Sequence, residues 1–255
     1  MRQLLLPNDY DGGSTVILRG ESCHYIAKVL RFRVGDRIPA LDRHGNRFSF
    51  HIMRIDGKTC TLTNPIAGPE SEHSTQNPEL PDITLFQCLP KGQKMDLIVR
   101  QAGETGISLI VPTLSERVIG HRDEKRLATR VERWNRIAGE AIQQSGANRA
   151  PRVASPLPLD RVPMLWDSSG IGLFLHQEPK GGYTLGEVLD PPESIALCVG
   201  PEGGFTPNEV RLLIESGFQP IYLGPTVMRS ETAALYGTAA IRTVVLEMKG
   251  WKRKE

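Results

Sequence analysis

The stretch SIALCVGPEGGFTPNEVRLLIESG, residues 194–217, decides the reading of the chain. Its first six residues are an apolar run without alternation, as suits a strand covered on both faces. From Thr206 onward it becomes a helix whose start is marked three times: Thr206 as N-cap, Pro207 at the first helical position, and Glu209 three residues after the cap as a capping box. Between strand and helix, GPEGGF leaves the backbone bare at Gly200, Gly203 and Gly204, on the edge where open α/β sheets take ligands. The bland alternative is a tight turn that needs positive φ; strand, glycines and an acid together favour a site. Glu202 inside the loop disfavours a phosphate and suits a hydroxyl or a cation.

Downstream, PIYL (220–223) leads through a second Gly-Pro loop into ETAALYGTAAIRTVVLEM (231–248). Apolar Val227 and Met228 in that loop suit a flat ring. Arg229, Ser230 and Glu231 put charge and hydroxyl just before a helix that is apolar or small nearly all round, which points to burial in a core or a subunit interface. Arg229 and Glu231 read equally as an internal ion pair and as a catalytic set. Upstream, IGLFL (171–175) ends at His176 and begins a third loop on the same expected sheet edge. The runs ITLFQCL (83–89) and ISLIV (107–111) complete a parallel sheet. A helix over 125–145 carries Leu127, Val131, Trp134, Ile137, Ala138, Ala141 and Ile142 on one face and stops at Gly146. The polar cluster after it, Gln143 to Ser145 with Asn148 and Arg149, reads as a solvated helix end. Nucleotide fingerprints are absent: no GxxxxGK[ST] occurs, and the GxG at Gly170 and Gly172 precedes a strand instead of following one.

The first seventy residues follow another grammar, short β-like runs separated by turns: Thr15–Leu18, Arg33–Leu41 broken at Gly35, Phe48–Ile55, and Thr59–Thr63 after the Asp56-Gly57 turn. Ser22 is placed to cap a helix carrying Ile26, Ala27, Val29 and Leu30. Residues 19–54 hold eight basic residues against three acidic ones, a local +5 in a chain of net charge +2. The module therefore has a basic face. Residues 64–82, with four prolines, read as a linker with a boundary near residue 75. The near balance of 31 basic and 29 acidic residues excludes histone-like character, and no window is long and apolar enough for a membrane span. Four isolated cysteines without metal-ligand spacing point to a reducing cytoplasm and to no metal.

HYIAKVLRFRVGD (24–36), KGQKMDLIVRQAGETGISLIVPTLSERV (91–118), ERWNRIAGEAIQQSG (132–146), GPEGGFTPNEV (200–210) and LGPTVMRSETAAL (223–235) together resemble the ribosomal RNA small subunit methyltransferase E family of the SPOUT superfamily. The resemblance runs in order over nearly the whole chain. It implies a PUA-like RNA-binding β-barrel over 1–72, a linker over 73–82, and an α/β methyltransferase domain with a deep trefoil knot over 83–255. It further implies a homodimer that binds S-adenosylmethionine in the knot and methylates uridine N3 in 16S ribosomal RNA. Carried over by position, the cofactor contacts are Leu175 and His176; Gly200, Pro201, Glu202, Gly203 and Gly204; and Leu223, Gly224, Val227, Met228 and Ser230. Arg229 and Glu231 match the charged pair of the family's last motif and take the catalytic role, Arg229 as stabiliser of the uridine anion. Arg19, Lys28, Arg31, Arg33 and Arg149 are the expected RNA contacts. Thr226 stands where the family usually has Arg, Ala147 where an Arg follows QSG, and Thr105 where Leu is usual; the first two remove positive charge near the implied RNA entry. A SPOUT enzyme acting on a ribose 2′-hydroxyl or a transfer RNA base, and a non-catalytic RNA-binding dimer, are the alternatives.

Overall fold

The computed structural model describes residues 3–7, 9–42, 46–67, 80–118, 124–145, 150–166, 170–181, 183–189 and 192–250. The chain divides into two compact units, Met1–Asn77 with Gly139–Ala150, and Pro78–Ala138 with Pro151–Glu255.

The first unit is a five-stranded sheet of β1 (Leu4–Leu5), β2 (Thr15–Arg19), β3 (Arg37–Leu41), β4 (Arg47–Ile55) and β5 (Thr59–Ala67), in the order β1-β3-β4-β5-β2. Alternate residues Val16, Leu18, Ile38, Phe50, Ile52 and Leu62 fill its core, as a half-buried strand pattern requires. Between β2 and β3 the chain forms α1 (Glu21–His24) and then one π-helical segment, Tyr25–Val29. The N-cap is Gly20, not Ser22. Ser22 falls inside the first turn because the chain leaves β2 through a positive φ at Gly20, a turn only glycine takes freely. The second expected run, Arg33–Leu41, becomes a strand only from Arg37, because Asp36 closes a turn by accepting from the Arg33 amide at 2.6 Å. β5 extends beyond the expected Thr63, through Pro65 to Ala67. Beyond Thr63 it pairs with β4 alone, so the missing amide hydrogen of Pro65 breaks no bond to β2. The turn at Asp56-Gly57 is as expected: Asp56 accepts from the Lys58 and Thr59 amides and the Thr59 hydroxyl, which holds its carboxyl down at about 2.

The second unit is a sheet of β6 (Asp82–Cys88), β7 (Leu109–Leu114), β8 (Arg152–Val153), β9 (Leu157–Pro158), β10 (Ile171–Leu175), β11 (Ser194–Val199) and β12 (Gln219–Ile221), every pairing parallel. The order is β12-β10-β11-β6-β7-β8, with β9 also on β7. Its helices are α2 (Lys94–Thr105), α3 (Glu124–Ser145, of which the residues from Gly139 on belong to the first unit), α4 (Val162–Leu165), α5 (Leu185–Val188), α6 (Pro207–Glu215) and α7 (Ser230–Met248). Both sheet faces are covered, which is why the strand runs lack alternation. Ile195, Leu197 and Val199 of β11 pack with side chains of α2, α3 and α7. Ala196 and Cys198 pack on the opposite face with Val210 and Leu213 of α6. Gly170 and Gly172 serve packing: a Cβ on Gly170 would meet the Ser194 carbonyl oxygen at 2.6 Å. All four cysteines are buried thiols, and burial pushes Cys60 up to about 11. Among the described residues no helix is long and apolar enough to cross a membrane, and no group of His, Cys, Asp and Glu is placed to hold a metal ion.

Candidate functional site

Because β12, β10 and β11 are adjacent and parallel, the loops after their carboxyl ends share one edge of the sheet. The three loops singled out in the sequence therefore meet. Together they enclose a cavity of about 760 Å³, open to solvent, whose walls include Leu175, His176, Gly200, Pro201, Glu202, Gly203, Gly204, Leu223, Gly224, Val227, Met228 and Ser230. Every expected cofactor contact borders this space. Gln177, Phe205 and Thr226, given no cofactor role in the sequence, join them.

The GPEGG loop turns at Pro201–Gly204, where the Gly204 amide donates to the Pro201 carbonyl at 2.9 Å. Gly204 has φ +68, whereas Gly203 lies outside the left-handed region and its Cβ would approach Arg117 Cδ at 3.2 Å. The need for positive φ thus belongs to Gly204 alone in this turn. Phe205 anchors the loop edge-on against buried Phe174, ring centroids 6.1 Å apart. Thr206, Pro207 and Glu209 then form the capping box as expected: Thr206 Oγ1 accepts from the Glu209 amide, and a Glu209 oxygen accepts from the Thr206 amide at 2.7 Å. The other Glu209 oxygen accepts from the Glu116 amide at 2.8 Å.

Side chains from elsewhere fasten the same loop. Gln87, polar and fully buried at the end of β6, donates to Ser230 Oγ at 2.9 Å, and Ser230 Oγ donates to the Gly200 carbonyl at 2.8 Å. The Arg117 guanidinium donates to the Gly203 carbonyl. Glu202 Oε1 accepts from Lys94 Nζ at 2.9 Å and from the Lys91 amide at 3.0 Å. Partial burial raises the Glu202 carboxyl, but the Lys94 and backbone hydrogen bonds outweigh it and hold the group below the usual carboxylate range. Lys94 is raised in turn, first by its hydrogen bond to Glu202.

The catalytic pair expected from sequence is arranged differently from an internal ion pair. Glu231, in the first turn of α7, pairs with Lys94 at 3.4 Å and makes no ion pair with Arg229. Arg229 is the N-cap residue of α7, its carbonyl accepting from the Ala233 amide, and its side chain is exposed and outside the cavity lining. Arg229 is thus exposed at the cap, whereas the Glu231 side chain is 13% exposed and engaged with Lys94. The His176 amide donates to the Ile221 carbonyl at 2.9 Å, which joins the first loop to the end of β12. A second cavity shares Leu175, His176, Gly203, Gly204 and Phe205 with the first and adds Arg117 and Lys180. In the N-terminal unit Arg19, Lys28, Arg31 and Arg33 are all exposed; Arg149 lies outside the described residues, as do Gly146 and Ala147.

A family model described as an RNA methyltransferase domain matches residues 77–242, and one described as an RNA methyltransferase PUA domain matches residues 18–63. The chain belongs to the ribosomal RNA small subunit methyltransferase E family. It is 34% identical to that protein from Synechocystis sp. over 91% of this chain and 74% of the relative, and 29% identical to that from Bacillus subtilis over 89% of each. The crystal structure of the Neisseria gonorrhoeae protein of this name, bound to S-adenosyl methionine, superposes with a TM-score of 0.84 at 29% identity over 96% of this chain and 98% of that one. As an RNA methyltransferase, the chain carries site residues that its motifs did not single out. Gln87 was announced by its polarity inside the apolar run ITLFQCL. Lys94 and Arg117 carried no local signal, since each acts on a loop far away in sequence.

Proposed function

We propose that this chain transfers the methyl group of S-adenosylmethionine to N3 of a specific uridine in 16S ribosomal RNA of the small subunit. The observation that carries this reading is the single cavity bordered by all three loops. Its residues fit the cofactor: Leu223, Val227 and Met228 offer apolar contact to a ring, and Gly200, Gly203 and Gly204 offer backbone polar groups without side-chain hindrance. When bound, S-adenosylmethionine supplies a methyl group on a sulfonium, whose C–S bonding electrons return to sulfur as the methyl is transferred.

The task left to the chain is to let the N3 proton leave, to stabilise the uridine anion that remains, and to align N3 with the methyl carbon. Arg229, exposed at the N-cap of α7, takes the role of holding the uridine anion through O2 or O4, while Glu231, the second residue of the catalytic pair, is held by Lys94 in the first turn of the helix. The second cavity, whose wall carries Arg117 and Lys180 against Glu178, is an approach for RNA to the cofactor with a small excess of positive charge. The domain over 1–72 positions RNA through Arg19, Lys28, Arg31 and Arg33, with Arg149 as a further contact, and residues 83–255 form the knotted catalytic domain beyond the linker 73–82. A homodimer through α7 accords with its exposed Tyr236 and Met248, and a reducing cytoplasm accords with the four free thiols.

The test incubates the purified protein with S-adenosylmethionine and small ribosomal subunits that lack the modification, then digests the RNA for nucleoside mass spectrometry. The expected product is 3-methyluridine. A methylated ribose, or no methylated nucleoside, overturns the reading.

A further inference from the structure

Lys94 is the first residue of α2, and its ammonium sits between two carboxylates from distant parts of the chain. Glu202 comes from the GPEGG loop, 2.9 Å away, and Glu231 from the first turn of α7, 3.4 Å away. The oxygen of Glu202 that meets Lys94 also accepts the Lys91 amide at 3.0 Å, so the loop is held to the segment after β6 at two points. An exposed ion pair is worth little, because water competes for both partners. Here the exposures are 31%, 27% and 13% for Lys94, Glu202 and Glu231, and one cation serves two acids. Without it two carboxylates would face the same space uncompensated, and Glu231 Oε2, the buried oxygen that faces Lys94, has no hydrogen-bond partner among the described residues to take its place.

We propose that Lys94 is a positioning residue, which sets the cofactor-binding geometry by tying the Gly200–Gly204 loop to the start of α7. The inference rests on the proposed cofactor site but concerns the shape of the loop before anything binds. Lys94 acts through Glu202 and Glu231; it does not border the cavity. The geometry assigns it a role distinct from the Gln87–Ser230–Gly200 chain, which fixes the loop's first residue, and from Arg117, which holds the Gly203 carbonyl: Lys94 holds the loop's acidic side chain and links it to α7.

Two measurements test this on the intact protein, each with Lys94→Met, Lys94→Arg and Glu202→Gln. In the cofactor-free protein, amide hydrogen exchange over residues 200–205 is expected to quicken by about tenfold in Lys94→Met, while α3 and the central strands keep their protection. In calorimetric titration with S-adenosylmethionine, the Kd is expected to rise by about tenfold in Lys94→Met, the size of losing one charged hydrogen bond. Lys94→Arg should recover most of both effects. Lys94→Met should cost less when made in the Glu202→Gln background, since the partner is already gone. Unchanged loop exchange in Lys94→Met overturns the proposal, as does a loss of affinity that is equal in both backgrounds. A lowered melting temperature with unaltered loop exchange and Kd would assign Lys94 to stability alone. Failure of the parent protein to bind S-adenosylmethionine would remove the functional reading and leave the exchange measurement to decide the role of Lys94.

Discussion

Gly204 shows how much one backbone angle carries. Its φ of +68 closes the Pro201–Gly204 turn, and a Cβ there would meet nothing within 4 Å, so the restriction is conformational and not steric. Gly204→Val is expected to raise the Kd for S-adenosylmethionine at least tenfold while the melting temperature moves little, because a β-branched residue resists the left-handed region by about 1–2 kcal/mol. Gly204→Asn should retain more affinity, asparagine being the residue that visits this region most readily after glycine. Equal affinities for the two variants and the parent, by calorimetry, would show that the turn does not shape the site. The sequence marked three glycines in this loop but not which one turns the chain; φ depends on the hydrogen bond from residue 204 back to 201, which no spacing reveals. Arg229 and Glu231 teach the same lesson for charge. Two residues apart, they read equally as an ion pair and as a catalytic set, yet Glu231 pairs with Lys94, 137 positions back in the chain, while Arg229 is exposed.

The elements most legible in the sequence are those whose signals are local. The capping box of α6 was readable because Thr206, Pro207 and Glu209 interact within one turn. Thr206→Ala should destabilise the protein by about 1 kcal/mol in chemical denaturation, the usual cost of losing an N-cap. Glu209→Ala should cost more, about 2 kcal/mol or above, because Glu209 is 5% exposed and its loss strands the Glu116 amide as well as the Thr206 amide. The reverse ranking would mean that the tie to Glu116 contributes nothing. Five of the seven strands were likewise legible, since burial on both faces leaves unbroken apolar runs; β8 and β9, two residues each, are too short to leave one. Where the reading failed, a neighbour intervened. Ser22 lost its cap role to the turn at Gly20, and β5 ran on through Pro65 because no strand pairs with that side of it.

For the whole molecule, the separate composition of the N-terminal unit has a measurable consequence. Arg31 and Arg33 are exposed in the loop before β3, and replacing both with Ala should weaken RNA binding while S-adenosylmethionine affinity stays at the parent value. If each touches one phosphate, the slope of log affinity against log salt should fall by about 1.5 to 2 in filter-binding titrations. An unchanged slope would make this face an ordinary solvated surface. The catalytic unit has a property of another kind. The bonds that build its cavity join residues 143 and 108 positions apart, Gln87 to Ser230 and Lys94 to Glu202, across a sheet whose every pairing is parallel. Such contacts form only after long stretches of chain have been closed into loops, so this unit belongs with the slow folders. During synthesis, β6 and α2 leave the ribosome well before their partners in α7 exist. A nascent or truncated chain ending before Ser230 therefore carries most of the cavity's wall but neither the Ser230 tie to Gly200 nor the Glu231 pair with Lys94, and the ability to take up ligand dates the last step of its maturation.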